Sequence, residues 1–283
     1  MSSNKTFQLG GIQTINRLGF GAMRITGKGV WGEPESREDA KRVLRRAVDI
    51  GVNFIDTADS YGPAVSEPLI GEALAPFPRG LIVATKAGLT RQGPNKWLPV
   101  GRPEYLVQQV EMSLRLLKTD VIELWQLHRI DAKVPVEESL GAIADLQKQG
   151  KIRHVGLSEV KPAEIDQARK VLEIVSVQNL YNVGDRQHED VLTYCEAHKI
   201  AFIPWFPVAA GKLAQPGGKL DEVSKRHGAT VSQLSIAWLL HRSPVMIPIP
   251  GTSSVAHLEE NMKAADLSLS NAEMQEIETA AKS

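Results

Sequence analysis

Short runs of β-branched and aliphatic residues alternate with helical patterns eight times along this 283-residue chain, a rhythm few folds accept. The strand candidates are RLGFGAM, VNFID, LIVATK, VIELWQLH, IRHVGLS, IVSVQN, AFIPWF and VMIPIPG. They are short and almost continuously apolar, as strands covered on both faces must be. Between them, Ala40, Val43, Leu44 and Ala47 recur at helical spacing, as do Leu106, Val110, Leu114 and Leu117. Thr230 with Gln233, and Ser270 with Glu273, have the form of capping boxes that start helices.

Eight strand-then-helix units without a proline-rich or low-complexity seam predict an α/β fold, a single (β/α)8 TIM barrel running over residues 1–283 as one domain. A doubly wound sheet is disfavoured because no GxGxxG follows an early strand. Ahead of the first unit, TFQL, a Gly10-Gly11 pair and IQTIN read as a hairpin with a two-residue turn.

Charge excludes several partners. The 33 basic and 33 acidic residues are scattered and sum to zero, so nothing supplies the basic face that nucleic acid or a membrane surface needs. Cys195 is the only cysteine, which rules out an internal disulfide; it reads as a buried apolar filler on a helix. The opening MSSNKTFQLGG has no signal-like apolar core, and no run reaches membrane-spanning length, so a cytoplasmic protein is expected. No metal-ligand spacing stands out.

The active sites of such barrels lie at the carboxyl ends of the strands. There the sequence places Asp56 and Tyr61 in FIDTADSYG, Lys86 in VATKAG and His128 in LWQLHRID. Singly, Asp56 suits a turn, Tyr61 a loop plug and His128 a satisfied core position. A lysine closing an apolar strand is different, since burying its charge demands a partner. Three neighbouring strands aiming these four side chains at one place make the mundane readings improbable together.

FIDTADSYG, VATKAG, LWQLH, GKIRHVGLS, VSVQNLYN and PGTSSVAHLEEN, in this order, resemble the aldo-keto reductase family, and within it the short bacterial branch that includes pyridoxal-reducing members. The resemblance spans the whole chain and implies that the hairpin closes the barrel floor. It also implies an NADP-dependent carbonyl reductase in which Tyr61 is the general acid or base. A free phenol titrates near 10, so a Lys86 ammonium held by Asp56 is expected to lower Tyr61, while His128 orients the substrate oxygen.

The same resemblance implies the cofactor residues. Gly21, Met23 and Asp56 lie beside the nicotinamide end, Ser158 and Gln178 hold the carboxamide, and Trp205 stacks on the ring. Pro207, Val208 and Gly211 line the pyrophosphate. Gly251, Thr252, Ser253 and Ser254 lead into a helix start suited to a 2′-phosphate, with His257, Glu260 and Asn261 beyond them. Read alone, these are ordinary strand ends and a serine cap. Three departures stand out: Gly251 replaces a frequent lysine, His257 a frequent arginine and Glu159 an asparagine, so NADP is expected over NAD with reduced fixed charge.

Substrate recognition falls to the loops. Trp31 lies in RITGKGVWGEPES, and Arg91, Lys96 and Trp97 lie in GLTRQGPNKWLPVGRPE. Aromatic walls with nearby cations suggest an aromatic, heteroaromatic or weakly anionic carbonyl compound, broad aldehyde tolerance and a monomer or weak oligomer. Two rivals stay open: a nicotinamide-binding sensor or channel-type subunit, and a Schiff-base aldolase using Lys86 as nucleophile.

Overall fold

The computed structural model describes residues 5–208 and 218–281. It opens with an antiparallel hairpin of β1 (Thr6–Leu9) and β2 (Gln13–Asn16). Leu9 pairs with Gln13, so the connection is the three-residue loop 10–12 rather than the expected two-residue turn. Register explains the difference. With Leu9 opposite Gln13, Phe7 faces Ile15, and Leu9 and Ile15 share one face; a two-residue turn would put them on opposite faces. Both are fully buried, and each such aliphatic side chain contributes about 1.5–3 kcal/mol.

Seven parallel strands form one curled sheet in chain order: β3 (Phe20–Gly21), β4 (Phe54–Asp56), β5 (Ile82–Ala87), β8 (Ile122–Leu127), β9 (Ile152–Ser158), β10 (Ile174–Leu180) and β11 (Ala201–Trp205). A small antiparallel hairpin, β6 (Leu89–Arg91) and β7 (Trp97–Pro99), rises from the connection after β5. The last strand candidate, VMIPIPG, bonds to both outer strands. Phe202 N–H donates to Val245 O (2.9 Å) and Ile247 N–H to Phe202 O (2.8 Å). On the other side Gly19 and Gly21 donate to the carbonyls of Pro248 (3.0 Å) and Pro250 (3.4 Å). Pro248 and Pro250 have no N–H to return, so this segment forms only a broken ladder.

The helices are α1 (Arg37–Asp49), α2 (Ser66–Leu74), α3 (Pro103–Leu117), α4 (Val136–Lys148), α5 (Pro162–Arg169), α6 (Glu189–His198), α7 (Lys219–Arg226), α8 (Val231–Arg242), α9 (Val255–Met262) and α10 (Asn271–Ala281). Their ends obey the local chemistry. Ser36 Oγ accepts from Asp39 N (3.1 Å) to open α1, and Ala40, Val43, Leu44 and Ala47 form its buried stripe. The capping box at Thr230 and Gln233 opens α8. The Ser270–Glu273 pair makes both reciprocal bonds before α10. Cys195 is buried on α6, where burial pushes its thiol up to about 12.

Two apolar layers follow. Inside the sheet, Leu9 and Ile15 of the hairpin pack with Phe54, Ile82, Leu124, Val175, Ile203, Ile247 and Ile249. Outside it, the helices cover Trp125, Val155, Val177, Tyr181 and Trp238 in the largest cluster. Among the described residues no helix is long and apolar enough to cross a membrane. The parallel register pairs Gly21 with Asp56, Lys86 with Gln126 and Ser158 with Gln178, so the carboxyl ends of five strands bring these polar residues together.

Candidate active site

Lys86, in β5, is completely buried, and its ammonium spends all three protons on named partners. Nζ donates to Asp56 Oδ1 (2.6 Å), to Thr57 O (2.8 Å) and to Tyr61 Oη (3.3 Å). Asp56 ends β4 and Tyr61 sits in the following loop. His128 follows the last residue of β8, with its ring 5.9 Å from that of Tyr61 in an edge-to-face arrangement. All four predicted residues therefore converge.

Burial alone would lower the Lys86 ammonium; the Asp56 charge and Tyr61 reverse this and hold it above its ordinary value. For Tyr61 the expected direction is corrected. Burial pushes the phenol up, and the pull of Lys86 in the opposite direction does not overcome it. His128 is held well below its ordinary value by burial first, then by the cations Lys86, Arg129 and Arg91. The imidazole is thus neutral near pH 7. Ser60 Oγ lies 3.3 Å from His128 Nδ1, leaving Nε2 as the ring nitrogen available to a substrate.

The second oxygen of Asp56 is occupied too. Gln126 Nε2 (3.0 Å) and Gln178 Nε2 (2.9 Å) both donate to Oδ2. Gln126 and Ser60 escaped the sequence reading; Gln126 is one polar residue inside an apolar strand, and Ser60 abuts Tyr61. Gln178 reaches the tetrad itself, while the buried Oε1 of Gln126 has no hydrogen-bond partner among the described residues.

On the cofactor side, Ser158 ends β9, and its hydroxyl accepts from Arg129 Nη1 (3.0 Å). Glu159 adopts left-handed backbone (φ 56°), a conformation asparagine accepts more readily. Its Oε1 accepts from Trp205 Nε1 (2.6 Å) and Leu180 N (2.7 Å), so the carboxylate is committed to holding the Trp205 indole in place. Met23 lies in the 3-10 turn after β3, and Pro207 and Val208 follow β11, Val208 packing against the cluster of Leu18, Ile236, Leu240 and Ala264. Gly211 lies outside the described residues.

Gly21 and Gly251 approach so closely that a Cβ on Gly251 would sit 2.6 Å from Gly21 O. Thr252 Oγ1 accepts from Ser254 N (3.1 Å), and Ser254 Oγ accepts from His257 N (3.4 Å) to cap α9. Ser253 and His257 are exposed at this helix start, whose first N–H groups lack helical partners. Glu260 Oε1 instead accepts from Thr230 Oγ1 (2.9 Å), and Asn261 is buried. Arg24, not anticipated, lays its Cγ 3.5 Å from the Cβ position of Gly251, bringing a cation where a lysine is missing. This donor set, with hydroxyls, a helix start and an arginine, fits a phosphate-bearing dinucleotide.

The mouth contains a further correction. Trp97 meets both Tyr61 and His128, with ring centroids 6.3 Å from each. Trp31 is exposed, with its ring 5.6 Å from Arg91 Cζ. Arg91, expected to offer charge to a substrate, gives every guanidinium proton to backbone carbonyls. Among the described residues no cluster of His, Cys, Asp or Glu is arranged to hold a metal ion.

Comparison with known proteins adds an independent line. The model of the aldo/keto reductase family matches residues 17–282. The chain is 54% identical to an uncharacterized oxidoreductase of Schizosaccharomyces pombe over 96% of this chain and 89% of the relative. It is 44% identical to the pyridoxine 4-dehydrogenase of Escherichia coli, covering 95% of this chain and 96% of that one. The crystal structure of an aldo-keto reductase from Klebsiella pneumoniae in complex with NADPH superposes with a TM-score of 0.83 at 26% identity, over 98% of this chain and 95% of that one.

Proposed function

This chain belongs to the aldo/keto reductase family, and from that premise we propose that it is an NADP-dependent oxidoreductase interconverting aldehydes or ketones with their alcohols. The observation that carries the proposal is the buried Asp56–Lys86–Tyr61 chain of contacts, 2.6 and 3.3 Å long. A bound reduced nicotinamide supplies the hydride. In the reductive direction Tyr61 would give its phenolic proton to the carbonyl oxygen of the substrate. Its raised pKa keeps that proton in place until then. As the proton leaves, the Lys86 ammonium faces the developing phenolate, which is where electrostatic stabilisation counts most. Neutral His128 donates from Nε2 to the same carbonyl oxygen and fixes its direction.

The dinucleotide would lie from Ser158, Gln178 and Trp205 across Gly21, Met23, Pro207 and Val208 to the loop 251–254. There the α9 start, His257 and Arg24 would receive a 2′-phosphate, with Glu260 and Asn261 beside the adenine. The fold that carries this is a single-domain, eight-stranded barrel in a cytoplasmic protein, the 245–250 segment serving as the eighth strand and the hairpin as its floor. A Schiff-base role for Lys86 is disfavoured, because its amine is charged and fully engaged. The name of the E. coli relative and the aromatic mouth make pyridoxal and other heteroaromatic aldehydes the first substrates to try.

The test is NADPH consumption over a carbonyl panel that includes pyridoxal, repeated with NADH and with Tyr61→Phe. Turnover abolished in the variant supports the assignment. Cofactor binding without turnover of any carbonyl would favour the sensor reading.

A further inference from the structure

Three connections form the mouth of the site, and one side chain joins them. Arg91 Nε donates to Lys96 O (3.0 Å) within the β6–β7 hairpin. Nη1 donates to Val30 O (2.6 Å) in the first long loop and to Ser60 O (2.7 Å) in the loop after β4. Nη2 donates to Gly29 O (3.1 Å) and Gly93 O (3.2 Å). A guanidinium has five N–H groups, and all five are used.

The cation has a second set of neighbours. Arg91 is the cross-strand partner of Trp97, and its Cζ sits 3.6 Å above the Trp97 ring and 5.6 Å from that of Trp31. Trp97 in turn touches the rings of Tyr61 and His128. Val30, whose carbonyl takes the shortest of the five bonds, is a β-branched residue at φ 54°. That left-handed conformation is strained and persists only where surrounding bonds impose it. A lysine could supply the charge but not five donors in one plane.

We propose that Arg91 is a specificity-determining positioning residue: it pins the three mouth loops so that Trp31 and Trp97 form a preset wall selecting flat, aromatic carbonyl compounds. This deepens the reductase assignment and rests on it for its kinetic part, whereas the pinning of the loops does not. An aromatic aldehyde enters a wall that is already built. A small aliphatic aldehyde gains little from that wall, so only aromatic substrates should feel its loss.

The experiment compares Arg91→Lys and Arg91→Ala with the parent, using 4-nitrobenzaldehyde and propanal as substrates. Both variants should raise KM for the aromatic aldehyde about tenfold or more, while its kcat and the KM for propanal stay within about threefold. NADPH affinity, read by tryptophan fluorescence, should not change. Amide hydrogen exchange of the intact proteins should quicken in segments 27–32 and 92–97, and Lys should not rescue it. Equal losses for both aldehydes, a full rescue by Lys, or unchanged exchange would overturn the proposal. Should Ala fail to fold, Lys and Trp97→Leu carry the same comparison. If the parent reduced no carbonyl at all, the reductase assignment would fail, while the exchange measurement would still decide the pinning.

Discussion

Gln126 and Gln178 donate their side-chain amides to the same oxygen of Asp56, at 3.0 and 2.9 Å. The opposite oxygen takes the Lys86 ammonium. Asp56, which is buried, is thereby held as an acceptor on both sides. The consequence is positional: with Oδ2 occupied by the two amides, Oδ1 faces the Lys86 ammonium, whose proton affinity stays above its ordinary value beside Tyr61.

Gln126→Leu should therefore lower kcat while leaving NADPH affinity near the parent value, because Gln126 touches the tetrad and not the proposed cofactor path. Losing one hydrogen bond to a charged group corresponds to about 1.5–3 kcal/mol, or a fall of roughly ten- to a hundredfold if all of it reaches the transition state. The pH profile of kcat should shift with it. A variant with parental kcat and an unmoved profile would show that Gln126 only fills space.

Lys86 and Asp56 should be far more costly to separate than to remove together. Lys86→Met leaves a buried carboxylate with no counter-charge, a loss of about 3–5 kcal/mol in denaturant unfolding. Adding Asp56→Asn to Lys86→Met should return most of that stability while leaving the protein inactive. Additive losses in the double variant would mean that the pair is not coupled in the folded chain.

Much of this site was legible in the sequence because barrel topology turns strand order into spatial order. Asp56, Lys86 and His128 lie at three successive strand ends, and only their facing one mouth was needed to predict their meeting. What stayed hidden depended on orientation within an element. Gln126 reads as an odd residue in an apolar strand until the register sets it beside Lys86. Arg91 reads as a loop cation until the β6–β7 hairpin folds it back over Trp97. The Tyr61 direction was missed for an energetic reason: the penalty of burying a phenolate outweighs the pull of one adjacent ammonium.

Behind Lys86 lies a pair of buried acids whose ionisation should shape stability. Burial, and then the charge of Glu67, push the Asp59 carboxyl up to about 8; burial pushes Glu67 up to about 6, with Thr85 and Lys86 acting against it. In an unfolded chain both titrate near pH 4. The native state therefore holds extra protons above that point, and the stability they bring is lost as pH rises through about 6 and then about 8. Tyr105 Oη donates to Asp59 Oδ2 (3.1 Å), while the buried Oδ1 has no hydrogen-bond partner among the described residues. Asp59→Asn should flatten the fall in unfolding free energy, measured by denaturant titration, between pH 5 and pH 8.5, by at least about 1.4 kcal/mol relative to the parent. Parallel pH curves for parent and variant would refute it.

Cofactor preference gives the last prediction. Gly251 stands where the family resemblance leads one to expect a lysine, in the loop proposed to receive the phosphate, and its closeness to Gly21 O leaves no room for any side chain there. Arg24 lies against that glycine from the 3-10 turn after β3 and is exposed, with no ion pair among the described residues. A guanidinium in that place can grip the 2′-phosphate that separates NADP from NAD. Arg24→Ala should weaken NADPH binding about tenfold, in line with one exposed charge-assisted contact, and leave NADH binding nearly unchanged. Fluorescence titration of both dinucleotides measures this without turnover. An equal loss for the two would move Arg24 from the 2′-phosphate to the shared pyrophosphate, and no loss for either would leave the α9 start and His257 as the discriminating groups.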